Sequence, residues 1–190
     1  MRKIEYPIAY FSAGTIEYDN KRPDNYILTR TKVGNIVADW ENERWLDTRN
    51  LVVINAMKRR IDLAKQKGFK AIECDNVHGH EFGDAELNGV VAPTGFSSTK
   101  EDDVRFIKTL AEYAHSCGLL YVMKNGLSML GDVESYVDFY LIEDAFKWSE
   151  VPMTYVDKAW FVEYDCSAKD LKKYKSIAPY VYALSINLDK

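Results

Sequence analysis

One pattern recurs along this chain: a short apolar, β-prone run closes on a polar or charged residue and gives way to a helical stretch. The runs are Ile8–Phe11, Ala71–Cys74, Leu119–Met123, Phe139–Ile142, Trp160–Val162 and Tyr180–Leu184, with a shorter one at Trp45–Leu46. These make about seven candidate strands in parallel order. Between them, Leu51 to Lys67 sets Val53, Ile54, Met57, Ile61 and Ala64 on one helical face before Gly68. Ser98-Thr99-Lys100-Glu101 has the form of a capping box, opening a helix whose Val104, Ile107, Leu110, Ala111 and Ala114 form a stripe ended by Gly118. Such alternation predicts a parallel sheet with helical crossovers.

An open doubly wound sheet and a closed barrel both satisfy the pattern, and the strand ends decide between them. Asp75, Lys124, Glu143 and Glu163 each close a different predicted strand, which is where barrel active sites are assembled. Ser12-Ala13-Gly14 is too meagre a match to the phosphate loop that an open sheet would carry. Strand alternation places Glu73 with Asp75, and aligns Glu143 and Glu163 with the apolar residues two positions before them. If those faces look into a barrel, four carboxylates converge. Glycoside hydrolysis needs two, one protonated for the leaving oxygen and one ionised as nucleophile or base. Lys124 is expected to keep Asp75 ionised while Glu143 holds a proton as the acid.

The chain has 190 residues, 47% hydrophobic and 28% charged, with a net charge of −4 spread along its length. That is the balance of one globular domain, 1–190, and it gives no basis for a nucleic-acid partner. No run reaches the roughly 18 apolar residues of a membrane span, and Met1 to Pro7 carries charges where a signal peptide needs an apolar stretch. As written, the chain is expected to stay in the cytoplasm. Cys74, Cys117 and Cys166 have no metal-like spacing and read as reduced thiols. His78-Gly79-His80 lacks a firmly placed third ligand, so neither a metal nor another cofactor is assigned. No G-x-S-x-G elbow is present, and no cysteine has an evident histidine partner, which leaves acyl transfer unsupported. Trp40, Trp45, Trp148 and Tyr164 lie near strand ends or loops where rings can stack on sugars, although core or rim packing is the commoner use of each. The long polar segment 76–97 reads as one wall of a cleft.

Several of these residues carry a resemblance. Tyr10-Phe11-Ser12-Ala13-Gly14, Glu17, Arg22-Pro23-Asp24 and Glu43-Arg44-Trp45-Leu46-Asp47-Thr48-Arg49 resemble signatures of glycoside hydrolase family 114. So do Gly68-Phe69 to Asp75-Asn76-Val77, Met123-Lys124-Asn125, Phe139 to Phe146 and Val162-Glu163-Tyr164, in the same order. The resemblance implies a TIM-like (β/α) barrel that cleaves α-1,4-linked galactosamine polymers, with Asp75 and Glu143 as its catalytic pair. Glu73, Asn76, Lys124, Asn125, Glu163, Tyr164, Trp45, Asp47, Arg49 and Tyr10 fall on the substrate-binding side of that reading. A polymer of free amino sugars is cationic, and a carboxylate-rich cleft suits it electrostatically.

The chain departs from the family pattern in three places. It starts at what would be the second strand, so the expected barrel lacks the usual first β/α unit, and a second copy of the chain is one partner that would cover the open edge. Cys74 stands where the family has Pro, and Asp144-Ala145 replaces its usual residues after the catalytic Glu, so the cysteine pairing of secreted relatives is not expected. The alternative reading is a non-catalytic carbohydrate-binding or interaction protein on a truncated barrel.

Overall fold

The computed structural model describes residues 6–18, 22–38, 40–82, 86–87, 90–91 and 94–185, with the backbone alone for 86–87 and 90–91. The chain divides into two compact units, Met1–Val137 and Asp138–Lys190.

The first unit runs β1 (Ile8–Ser12), β2 (Thr15–Glu17), α1 (Asn25–Leu28), β3 (Val33–Val37), β4 (Trp40–Leu46), α2 (Leu51–Gln66) and β5 (Ala71–Asp75). It continues with β6 (Glu86–Leu87), β7 (Val90–Val91), α3 (Lys100–Ser116), β8 (Leu120–Lys124) and α4 (Leu130–Val133). Strands β1, β5 and β8 lie parallel in that order, with Ser12 beside Asp75 and Glu73 beside both Tyr10 and Val122. Parallel neighbours present paired residues to the same side, so the alternation sorts this sheet into two chemically different faces. Phe11, Ile72, Cys74, Tyr121 and Met123, all buried, make the predominantly apolar one. Tyr10, Ser12, Glu73, Asp75, Val122 and Lys124 make the other.

Helices α2 and α3 pack against each other, burying Val53, Ala56, Met57, Ile61 and Ala64 from the first and Phe106, Ile107, Leu110, Ala111 and Ala114 from the second. Each large side chain so buried stabilises by roughly 1.5–3 kcal/mol. Both helices end where the sequence indicates, on Gly68 (φ 83°) and Gly118 (φ 72°), left-handed positions that favour glycine. The capping box sits one residue later than expected: Thr99 accepts from the Asp102 backbone N–H, and the Asp102 side chain accepts from the Thr99 backbone N–H. The Trp45–Leu46 run is a second correction. It belongs to β4, which pairs antiparallel with β2 and β3 in a separate sheet and is no part of the parallel one. Of its two flanking strands, β2 is three residues long and β3 is interrupted by Gly34-Asn35, so periodicity alone gave them no signal.

The second unit holds β9 (Phe139–Glu143), β10 (Ala159–Tyr164), α5 (Ala168–Tyr174) and β11 (Val181–Leu184). Its strands are parallel with β10 in the middle, and Val162 lies beside Glu143. Tyr140, Ile142 and Phe161 are buried, while the Phe139 and Trp160 rings stack 5.1 Å apart.

Candidate functional site

In the first unit the polar face gathers a carboxylate and its partners at the C-terminal ends of the strands. Lys124 Nζ lies 2.8 Å from Asp75 Oδ2, and the Tyr10 hydroxyl donates to the same oxygen at 3.0 Å. Asp75 Oδ1 accepts from the Asn76 backbone N–H at 2.7 Å. The residue is only 7% exposed, so these partners replace most of its hydration. The Tyr10 hydroxyl is held well above the ordinary phenol range by desolvation first and then by the Asp75 charge and hydrogen bond. It therefore keeps its proton and acts as a donor.

Beside this group lies a second polar ring. Asn76 Nδ2 donates to Ser12 Oγ at 2.9 Å and to Glu43 Oε1 at 3.2 Å, while Thr15 Oγ1 bonds both Glu43 Oε1 and Ser12 Oγ. Burial raises the Glu43 carboxyl above its usual range, partly offset by the Thr15 hydroxyl. Two ion pairs brace the surroundings. Arg22 binds Glu17 at 2.9 Å, and Arg60 binds Asp24 at 2.6 Å while donating to the Ser12 carbonyl at 3.0 Å. Asp24 of the Arg22-Pro23-Asp24 motif thus holds Arg60 against the end of β1.

In the second unit the Tyr164 hydroxyl donates to Glu143 Oε1 at 2.6 Å, from the same face of the sheet. Glu163 is on the opposite face, in register with the buried side, and is 1% exposed. Its two oxygens accept the backbone N–H groups of Phe146 (3.0 Å) and Lys147 (3.2 Å). The expected convergence of Glu163 with Glu143 is corrected by one step of strand alternation: Val162 and Tyr164 are the residues facing Glu143's way. Burial raises the Glu163 carboxyl, and the two N–H donors offset part of that.

A common device ends four of the strands. The residue after Asp75, Lys124, Glu143 and Tyr164 is in each case Asn or Asp with positive φ: Asn76 (57°), Asn125 (54°), Asp144 (52°) and Asp165 (51°). Asn and Asp enter this left-handed region more readily than other side-chain-bearing residues, so the chain turns off directly after the side chain that closes the strand. Asp144 shows how the turn is tied, donating its N–H to the Val162 carbonyl and accepting from the Tyr164 N–H.

Three expected binding residues lie apart from the Asp75 group. Trp45 is 3% exposed and packs on Phe82 with ring centres 5.0 Å apart, so it is a core residue. Asp47 and Arg49 pair with each other at 2.8 Å, and Arg49 also holds the Ser97 carbonyl at 3.1 Å, which braces the turn after β4 against the approach to α3. Trp40 and Trp148 are exposed at 65% and 64%, which leaves both rings open to solvent. The three cysteines are unpaired thiols. Within segment 76–97, residues 83–85, 88–89 and 92–93 lie outside the described residues.

His80 forms a row that spacing did not reveal: Nδ1 is 2.8 Å from Asp103 Oδ2 and Nε2 is 3.1 Å from Ser128 Oγ. The order is that of an acyl-transfer triad, yet Glu81 Oε1 takes both the Ser128 hydroxyl (2.5 Å) and the Ser128 N–H (3.3 Å). A serine whose proton and adjacent N–H are both held by a carboxylate is poorly set to attack a carbonyl or bind an oxyanion. The row acts as a staple between α3 and the turns at 79–82 and 127–129. Among the described residues no three His, Cys, Asp or Glu side chains gather as a metal-binding group, and no helix is long and apolar enough to cross a membrane.

The family model for glycoside-hydrolase family GH114 matches residues 2–184. The chain belongs to glycoside-hydrolase family GH114. Among solved structures, it is similar to Aspergillus fumigatus Ega3 in complex with galactosamine, at 24% identity over 96% of this chain and 76% of that one, with a TM-score of 0.81. The glycoside hydrolase domain of Pseudomonas aeruginosa PelA follows at 14% identity, 97% and 80% coverage and a TM-score of 0.61. An Arthrobacter globiformis isomalto-dextranase complexed with panose matches at 10% identity, 94% and 38% coverage and a TM-score of 0.54. No curated protein matches the chain. The GH114 membership makes this a glycoside hydrolase, and the structural likenesses carry its α/β, TIM-barrel-type fold.

Within the GH114 frame, Ser12, Thr15 and Glu43 are the polar residues that the sequence reading left out of the site. Glu43 lay in a quoted motif, but its reach to Asn76 depends on β4 pairing with β2, which no local pattern announced.

Proposed function

We propose that the chain hydrolyses α-1,4-linked galactosamine-containing polysaccharide, with Asp75 and Glu143 as the two catalytic carboxyls. The observation that carries this reading is the Asp75 carboxylate at the end of β5, held between Lys124 and Tyr10 in a GH114 chain. Glu143 is the matching carboxyl in the second unit, oriented by the Tyr164 hydroxyl. Ega3 is similar in fold and was solved with galactosamine, which supports an amino sugar as the substrate unit. Glycosidic cleavage by two carboxyls needs one to protonate the leaving oxygen and one to attack the anomeric carbon or activate water. A free amino sugar is cationic, and Glu73 beside Asp75 on the same strand face adds negative charge that attracts it. Asn125, Tyr10 and Tyr164 are assigned to substrate contact.

The test is release of new reducing ends from partially deacetylated galactosamine polymer by wild type, Asp75→Asn and Glu143→Gln. Wild-type release with loss in both variants supports the assignment. Release that survives both substitutions rejects the site. Binding without release in the wild type supports instead a carbohydrate-binding protein on the same fold.

A further inference from the structure

We propose that Glu43 is a positioning residue for the Asp75 carboxylate, acting through Asn76. This rests on the assignment of Asp75 as a catalytic carboxyl. In the hydrogen bonds described above, Glu43 reaches Asn76 and Thr15, and Asn76 reaches Asp75. The peptide that joins Asp75 to Asn76 is gripped from two directions. On one side the Ala13 and Gly14 N–H groups both point at the Asp75 carbonyl, at 2.9 and 3.4 Å. Gly14 is needed for this approach, because a Cβ there would come within 1.8 Å of the Asn76 carbonyl oxygen. On the other side the Asn76 side chain is tied to Ser12 and Glu43, and through the rigid backbone of a residue at φ 57° this fixes where its N–H points. That N–H is 2.7 Å from Asp75 Oδ1, the oxygen that Lys124 and Tyr10 leave to it.

A single Glu43 oxygen, Oε1, accepts from both Asn76 and Thr15. An ionised Glu can only accept, so the Asn76 amide is held with its NH2 toward Glu43, and a flipped amide would set two oxygens against each other. Keeping a half-buried acid at this place works against its own hydration, and burial raises its carboxyl accordingly. Glu43 bonds Thr15 and Asn76, so its positioning of Asp75 passes through those neighbours.

The experiment compares wild type, Glu43→Ala, Glu43→Gln, Asn76→Gly and the Glu43→Ala/Asn76→Gly double variant. The readouts are kcat and KM on galactosamine oligomers, and exchange protection of the Asn76 amide by NMR. Asn76→Gly keeps the left-handed backbone while removing the side chain. Glu43→Ala and Asn76→Gly should each lower kcat about tenfold with KM changed less than about twofold, the size of one lost charge-assisted hydrogen bond. The double variant should be no worse than either single one, because both cut the same chain. Glu43→Gln, which keeps the acceptor and the volume, should recover most of kcat. The Asn76 amide should lose protection in Glu43→Ala.

Multiplicative losses in the double variant, or an effect on KM alone, overturn the proposal. The exchange measurement needs no substrate. If even the wild type cleaves no galactosamine polymer, the functional reading has failed, while unchanged Asn76 protection in Glu43→Ala would separately sink the positioning role.

Discussion

Lys124 Nζ sits 2.8 Å from Asp75 Oδ2 with both side chains largely withdrawn from water. Removing one partner of such a pair leaves the other charge buried and uncompensated, whereas removing both leaves a neutral, packable site. Lys124→Met should therefore lower unfolding free energy by on the order of 3 kcal/mol, and Lys124→Met with Asp75→Asn should recover most of that loss. Urea denaturation of the four species decides it. Equal losses in the single and double variants would mean that the pair is not the source of the effect.

The Tyr164 hydroxyl, 2.6 Å from Glu143, gives a prediction for the second carboxyl. A hydrogen bond to a carboxyl involved in the chemistry contributes about 1.5–3 kcal/mol when the acceptor is charged. Tyr164→Phe keeps the ring and should lower kcat about tenfold or more, with thermal stability nearly unchanged. An unaltered kcat alongside an inactive Glu143→Gln would show that Tyr164 does not orient the carboxyl in the reacting state.

The parts of this molecule legible in the sequence were those governed by local periodicity. Six of the seven apolar runs became parallel strands, and Gly68 and Gly118 ended their helices, because burial of one face and positive φ both leave marks at fixed spacing. The Asp75–Lys124 pair was expected because both residues close predicted strands, whereas Tyr10 entered only through the family resemblance. Glu163 was misplaced because its run was phased from Phe161, a residue that faces the buried side. A one-residue error in phase turns a strand end to the other face. The ring of Ser12, Thr15, Glu43 and Asn76 was hidden because it depends on antiparallel pairing between strands separated by a long segment. The repeated Asn or Asp after four of the parallel strands is visible in the sequence as Asp75-Asn76, Lys124-Asn125, Glu143-Asp144 and Tyr164-Asp165.

Glu163 is expected to matter for stability through its two backbone partners. Glu163→Ala leaves the Phe146 and Lys147 N–H groups without their acceptor and should cost roughly 2–4 kcal/mol. The pH dependence has a definite sign. Burial raises this carboxyl in the folded chain above the unfolded value of about 4.3, so folding favours its protonated form. Its contribution is complete below the unfolded value and is lost as pH rises through the folded one. The stability difference between wild type and Glu163→Gln should accordingly shrink from about pH 3 toward about pH 7. A difference that grows over that window would mean that the two N–H donors outweigh burial.

Asp47 behaves in the opposite sense, which makes it a control on the same titration. The Arg49 hydrogen bond holds the Asp47 carboxyl below its usual range, so its contribution is present above the unfolded value of about 3.9 and is lost as pH falls through the folded one. Because Arg49 is exposed, the pair is worth less than about 1 kcal/mol at neutral pH. Arg49→Gln should thus be mildly destabilising near neutrality and indistinguishable from wild type in strong acid. Salt separates the electrostatic part from the bracing of Ser97, since raising ionic strength weakens an exposed ion pair and leaves a hydrogen bond to a carbonyl largely intact. If the variant's deficit is unaffected by both acid and salt, Arg49 acts through the Ser97 carbonyl rather than through Asp47.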